Sequence, residues 1–302
     1  MKTKFQTIFL LGIALLTFNA CNNNTYWLDK EVYEKSLFLL GQGDYNIFNI
    51  EYEYDDEGYV GYVPIHCTGS LPVEEDVQIE LEYDSTLVPY YNRREFDIDT
   101  IRFAKELDIS RFNMETMTVT MKQNDIRNYA LFPLKIRIEG LSPDTTYFVP
   151  LKIKSVSKYS INPLKSAALI KIFLKNDYAT TSHDTNYKLQ GFYLTEGDES
   201  AIFVSGVKKI KPLSKNKVRF FPETYTPTSR NEFNDIKRYG MILTINSDNT
   251  VVIEPYDMMV VVQSTDEACM YYPESKKFEL FYSYRNVNGK WVEAHEIFSL
   301  VD

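Results

Sequence analysis

Val77-Gln78-Ile79-Glu80-Leu81-Glu82-Tyr83 places Val77, Ile79, Leu81 and Tyr83 on one side of an extended chain, with two acids and a glutamine on the other. A period of two is the mark of a half-buried antiparallel strand, because successive side chains point to opposite faces. The pattern recurs on both sides of this stretch. Upstream, Tyr45 to Tyr54 alternates through Ile47, Ile50, Tyr52 and Tyr54, turns at Asp55-Asp56-Glu57-Gly58 and returns through Tyr59 to Ile65. Downstream, Met117 to Met121, Leu134 to Ile138, Phe148 to Ile153 and Ala168 to Leu174 repeat it. Pro150 removes a ladder donor and is expected at an edge or a bulge. Gly140-Leu141-Ser142-Pro143-Asp144 supplies a short turn. Convincing helical spacing is confined to Ile101 to Leu107. The 23 Tyr and 19 Phe against 12 Gly favour strands over helices. The chain therefore reads as all-β, with an Ig-like, Greek-key β-sandwich over residues 31–175.

A polar connector at 176–186 opens the second half. Tyr187 to Leu194, Ala201 to Ile210 and Asn216 to Phe221 follow as strands, then Ile242 to Ile245 and Val251 to Ile253 around the hairpin tip Asn246 to Thr250. Phe278 to Tyr284 and an Asn288-Gly289 turn before Trp291 complete the set. Hairpins in up-and-down order predict a calycin-like (lipocalin-like) barrel over 176–302, with a second β-sandwich as the alternative.

The first twenty residues carry a different signal. Met1-Lys2-Thr3-Lys4 is a basic start, Ile8 to Leu16 an apolar run and Phe18-Asn19-Ala20-Cys21 its close. The run is about half of the roughly 20 residues a membrane-crossing helix needs, so it reads as an export signal over 1–20. Residues 21–30 then form a tether. The formal charge of -9, without a clustered basic face, excludes nucleic acid as a partner. Besides Cys21 only Cys67 and Cys269 remain, far apart in sequence, which argues for two buried thiols rather than a disulfide framework.

Two stretches carry family resemblances. Ser70-Leu71-Pro72 to Leu81, Tyr90-Tyr91-Asn92, the Val119 strand and Tyr147-Phe148-Val149-Pro150-Leu151 resemble the N-terminal DUF1735 sandwich domain of Bacteroides surface lipoproteins, a domain that also precedes some endo-N-acetylglucosaminidases. Tyr271 to Trp291 resembles the C-terminal DUF4361 domain of the same group. The leader resembles a lipoprotein signal, which implies lipidation of Cys21 and membrane attachment through that anchor only. The resemblance further implies the outer membrane, on the cell surface, and association with a SusC/SusD-type transporter complex. Asn22-Asn23-Asn24 lacks the acids that favour surface export in this group, so a periplasm-facing placement stays open.

Catalysis finds little support. His66, His183 and His295 are the only histidines, and neither a Gly-x-Ser-x-Gly elbow nor a His-Glu-x-x-His helix occurs. His66 and Cys67, adjacent on a strand, point to opposite faces. Asp55 to Gly58 lacks the spacing of a calcium loop. Asp97-Ile98-Asp99 would set two acids on one strand face, and Glu293, His295 and Glu296 read as a solvated face. The expectation is a protein that is not an enzyme and uses no cofactor or metal. A glycan ligand fits better, because exposed Tyr or Trp beside Asn, Asp and Arg can stack on a sugar and bond its hydroxyls. The longest unpatterned loop, Pro222 to Tyr239, carries Tyr225, Arg230, Asn231, Asn234, Asp235, Arg238 and Tyr239 and is the candidate site. Trp291 is expected in the second core and Trp27 on the tether. The competing reading is a surface adhesion or assembly protein that binds other proteins by strand pairing or by its sheet faces.

Overall fold

The computed structural model describes residues 31, 33–112, 116–227 and 232–301. The leader 1–20, Cys21 and the tether 21–30 with Trp27 lie outside the described residues, as do Arg230 and Asn231. The chain is nearly all β. Among the described residues no helix is long and apolar enough to cross a membrane.

The first domain runs through β1 (Ser36–Leu39), β2 (Ile47–Glu53), β3 (Tyr59–Cys67), β4 (Val77–Tyr83), α1 (Leu87–Phe96), β5 (Lys105–Glu106), β6 (Thr118–Met121), β7 (Tyr129–Ile136), β8 (Tyr147–Val156), β9 (Ser160–Ile161) and β10 (Ala167–Lys175). One sheet has the order β7-β3-β1-β9 and the other β2-β10-β8-β4-β6, with β5 beside β8. Alternation decides what meets between them. Val63, Ile65, Val77, Ile79, Leu134 and Ile170 point inward and form the core. The pairing is mostly antiparallel, but β10 runs parallel to β2.

Three local expectations are corrected. The α-helix is Leu87–Phe96, while Ile101 to Leu107 holds a short 3-10 turn and β5. Asn92 explains the helix's place: its amide donates to the Ala104 carbonyl and accepts from the Ala104 N–H, both at 2.8 Å, inside the fold. Asp97 and Asp99 follow that helix as exposed residues of a connecting turn and share no strand face. Pro150 lies in the interior strand β8 rather than at an edge. Its carbonyl accepts from Asp84, just past the end of β4. In an antiparallel strand the nitrogen of a residue faces the same side as its carbonyl, so the missing donor falls where the ladder has already ended.

The second domain contains β11 (Thr185–Thr195), β12 (Ile202–Ser214), β13 (Lys217–Phe220), α2 (Glu232–Tyr239), β14 (Met241–Ile245), β15 (Val251–Pro255), β16 (Val261–Gln263), β17 (Met270–Tyr272), β18 (Lys277–Arg285) and β19 (Trp291–Leu300). They form one sheet, ordered β15-β14-β13-β12-β11-β19-β18-β16 with β17 also on β18, which curls into a nearly closed barrel. Tyr187, Leu189, Phe220, Phe278, Leu280 and Phe298 fill its interior. The last gap lies between β15 and the broken strand β16/β17. At one end the Val251 N–H donates to Cys269 and the Tyr271 N–H to Asn249, each at 2.9 Å. At the other, Gln263 stands in for a strand: its Oε1 accepts the Ile253 N–H at 2.9 Å and its Nε2 donates to the Val251 carbonyl at 3.0 Å. Gln263→Leu is expected to cost about 1–3 kcal/mol, the penalty for two orphaned backbone groups. Amide exchange at Ile253 should accelerate; unchanged protection there would show the seam is closed by something else.

The domains meet over a buried charge. Asp144, in the turn before β8, receives both guanidinium nitrogens of Arg219 from β13, one at 2.7 Å, and Lys211 of β12 at 2.9 Å. The connecting segment is tied down at both ends. Asn176 donates to the Ser214 and Lys217 carbonyls, and Glu51 of β2 accepts from the Thr180 and Ser182 hydroxyls.

Candidate ligand-binding site

The segment after β13 differs from the expected open loop, since Glu232–Tyr239 is helical. Acids stand in its first turn, Lys237 and Arg238 in its last, Ile236 is buried and Gly240 follows. That order of charges is the one a helix dipole favours. A Cβ at Gly240 would lie 2.5 Å from the Ile236 carbonyl, so only glycine fits there. The helix brings four of the expected residues together. Tyr225 and Tyr239 pack with ring centroids 4.8 Å apart, and Arg238 lies 6.0 Å from the Tyr239 ring. Burial, and then a hydrogen bond with Asp235, push the Tyr225 hydroxyl up to about 12. Asn234 is exposed on the helix. Tyr225 and Pro227 border a cavity of about 170 Å³ at the domain seam, with Lys209, Lys211 and Arg219 on its other wall.

Beneath this segment the barrel holds a polar network. Glu296 was expected on a solvated face, but it is 0% exposed and points inward, whereas Glu293 and His295 point outward. Lys208, 2% exposed, lies 3.0 Å from its carboxylate and donates also to the Phe221 carbonyl. The Tyr193 hydroxyl donates to Glu296 at 2.7 Å and the Glu223 N–H at 2.9 Å. Glu223 has φ 52, unfavourable for a residue with a Cβ, and is held there by that bond and by the Tyr284 hydroxyl on its carboxylate. The network thus anchors the chain leading to Tyr225.

A larger groove, about 490 Å³, lies on the outer face of the barrel across the ends of β11, β19, β18 and β16. Trp291, Leu194 and Val262 give it apolar surface; Ser283, Glu293 and the turn residues Glu196 and Asp198 give it hydrogen-bonding groups. Trp291, expected in the core, belongs to this groove, because residues 292, 294, 296 and 298 take the inward positions of β19. Its backbone is clamped: the Trp291 N–H donates to the Glu196 carboxylate at 3.2 Å and its carbonyl accepts the Glu196 N–H at 2.8 Å. The Arg285 guanidinium sits 5.1 Å from the indole. One register step along the face, Phe203, Phe192, His295 and Phe281 stand opposite one another on four adjacent strands. Phe192 and Phe203 are 52% and 55% exposed, and the Phe281 and His295 rings stack at 4.2 Å.

The histidines are held by packing and hydrogen bonding. His66 stacks between Phe38 and Tyr129, and burial pushes its imidazole down from the ordinary value. His183 lies 3.0 Å from the Ser182 hydroxyl, but Glu51 accepts from that hydroxyl. Cys67 and Cys269 are free and buried in separate domains. Among the described residues no group of three His, Cys, Asp or Glu side chains could hold a metal ion.

A sandwich locked to a nearly closed barrel, with a tryptophan-lined groove on the barrel's outer face, defines a two-domain all-β protein. Two family models match it in that order, one described as an N-terminal domain over residues 28–160 and one as a C-terminal domain over 166–299. Solved structures from Bacteroides share the fold. A protein of unknown function from Bacteroides ovatus is 15% identical, with 89% of this chain and 95% of that one covered at a TM-score of 0.62. A multidomain protein including DUF1735, also from Bacteroides ovatus, is 13% identical over 89% and 95% at 0.59. An auxiliary nutrient binding protein from Bacteroides thetaiotaomicron is 13% identical over 84% and 90% at 0.54. No curated protein matches the sequence.

Proposed function

We propose that this is a non-catalytic, lipid-anchored cell-envelope protein that binds glycan in the Trp291 groove, as an accessory component of polysaccharide utilisation. The observation that carries the reading is the groove's chemistry: a clamped indole with two aliphatic neighbours, ringed by a serine and carboxylates. A pyranose presents an apolar C–H face to such a ring and hydroxyls to such a rim. Size favours this groove over the Tyr225 cavity, since ligand sites run from about 300 to 1,000 Å³. The nutrient-binding description of the Bacteroides thetaiotaomicron neighbour is compatible with it. In this reading Cys21 carries the lipid, the C-terminal domain is of the DUF4361 kind, the protein faces the cell surface from the outer membrane, and a SusC/SusD-type transporter takes up what it captures.

Affinity electrophoresis against host and plant polysaccharides is expected to show retardation that Trp291→Ala reduces at least tenfold, the loss of one aromatic stack. Retardation that survives Trp291→Ala but disappears in Tyr225→Ala/Tyr239→Ala would move the site to the seam. The outward-facing row Phe203, Phe192, His295 and Phe281, with the first two exposed, favours a second reading, adhesion to another protein through this sheet face. Silence across the polysaccharide panel would favour it, and release of reducing ends would replace both by a hydrolase.

A further inference from the structure

We infer that the Trp291 groove discriminates by charge, accepting neutral pyranose chains and rejecting uronate or sulfated ones. The inference rests on the glycan-binding reading and narrows it to a ligand class. Three of the groove's polar groups, Glu196, Asp198 and Glu293, are carboxylates, and among the described residues no lysine or arginine lines it. They come from separate places in the fold, Glu196 and Asp198 from the turn after β11 and Glu293 from β19, so carboxylates stand on two walls of the groove. Asp198 and Glu293 form no ion pair among the described residues. Glu196 is spent on holding the Trp291 N–H, which keeps one oxygen in place and leaves its charge uncompensated. Two cations stand close by without lining the groove: the Lys290 ammonium would lie 3.8 Å from a Cβ at Gly197, and the Arg285 guanidinium is 5.1 Å from the indole, so carboxylates outnumber cations three to two around it.

Carboxylates only accept hydrogen bonds, so a rim of this kind is satisfied by O–H and N–H donors and not by groups that only accept. Neutral sugars are dense in such donors, and a bond from a hydroxyl to an ionised carboxylate is stronger than one between neutral groups. A sugar carboxylate or sulfate would bring a fourth negative charge within a few ångströms of three others. Even at water-like screening each such contact opposes binding, and three together amount to roughly ten- to a hundredfold in affinity. The effect is electrostatic and should shrink as salt rises. The acidic balance of the whole chain adds to it at long range.

The test uses matched ligands on the full mature protein. A neutral polysaccharide retained in the affinity gel is compared with the same chain oxidised to uronate at its primary hydroxyls, by calorimetry at low and at 0.5 M salt. Chitosan oligomers provide the cationic arm. The expected order is cationic at least equal to neutral, with the oxidised chain at least tenfold weaker and the gap narrowing at high salt. Asp198→Asn/Glu293→Gln should narrow the gap at low salt as well. Equal affinity for the neutral and oxidised chains, or a gap untouched by the double variant, overturns the charge rule while leaving glycan binding in place. No retention of any chain overturns the glycan-binding reading itself. Retention insensitive to Trp291→Ala shows that the charge rule was assigned to the wrong groove.

Discussion

Lys208→Met is expected to destabilise the barrel by about 3–5 kcal/mol, the usual result of leaving one buried charge without its partner. The Glu296 carboxylate would keep its Tyr193 and Glu223 donors but lose the one cation that pairs with it among the described residues, at a position that is 0% exposed. Burial pushes the Lys208 ammonium down from its ordinary value, and the Glu296 charge pulls it back. Phe220 and Phe298, with rings 5.1 and 5.6 Å from the ammonium, give further support to the cation. Lys208→Met/Glu296→Gln removes both charges while retaining an acceptor for Glu223 and Tyr193, and should recover most of the loss. Urea midpoints for the two variants decide it. A loss below about 1 kcal/mol in the single variant would mean that the pair is neutral in the folded protein, because an uncharged pair carries no such penalty.

Most strands were legible because their buried positions recur every second residue or form short apolar runs. Val77 to Tyr83, Tyr59 to Ile65 and Ala168 to Leu174 all lie in β-strands, and Phe278 to Tyr284 alternates cleanly within β18. The same rule could have separated Glu296 from Glu293 and His295. Glu296 shares parity with Val292, Ala294 and Phe298 and must face inward with them, but a glutamate in a core is so rare that its type outweighed its position. Trp291 is the opposite case, a large apolar residue at an outward position. Helix α2 escaped notice because eight residues with one buried isoleucine show no periodicity, although its charge order and Gly240 were present. Asp144 read as turn chemistry, and no local pattern could have revealed Arg219 as its partner from another domain. The Trp291 groove is likewise assembled by register across four strands, which sequence spacing does not encode.

Asp144→Ala is expected to separate the unfolding of the two domains. The substitution leaves the Arg219 guanidinium buried between the Phe221 and Tyr256 rings with no carboxylate, and deprives Lys211 as well. A cost of about 3–5 kcal/mol follows from breaking a buried pair on one side. It falls on the contact that joins the cores, so the calorimetric trace should change from one transition to two, because the ties that remain, Glu51 to the Thr180 and Ser182 hydroxyls and Asn176 to the Ser214 and Lys217 carbonyls, run through the connecting segment and not from core to core. The pH dependence gives an independent check. Burial would push the Asp144 carboxyl up, but the bonds from Arg219 and the charges of Arg219 and Lys211 outweigh it and hold the group below its ordinary value. A carboxyl depressed in the folded state contributes its full stabilisation above the unfolded value, about 3.9, and loses it as pH falls through the folded one. The native protein should therefore keep a single transition from pH 7 to about pH 5 and split only in stronger acid, whereas Asp144→Ala should show two transitions throughout. A single transition in the variant at neutral pH would show that the domains are coupled by packing and not by this charge.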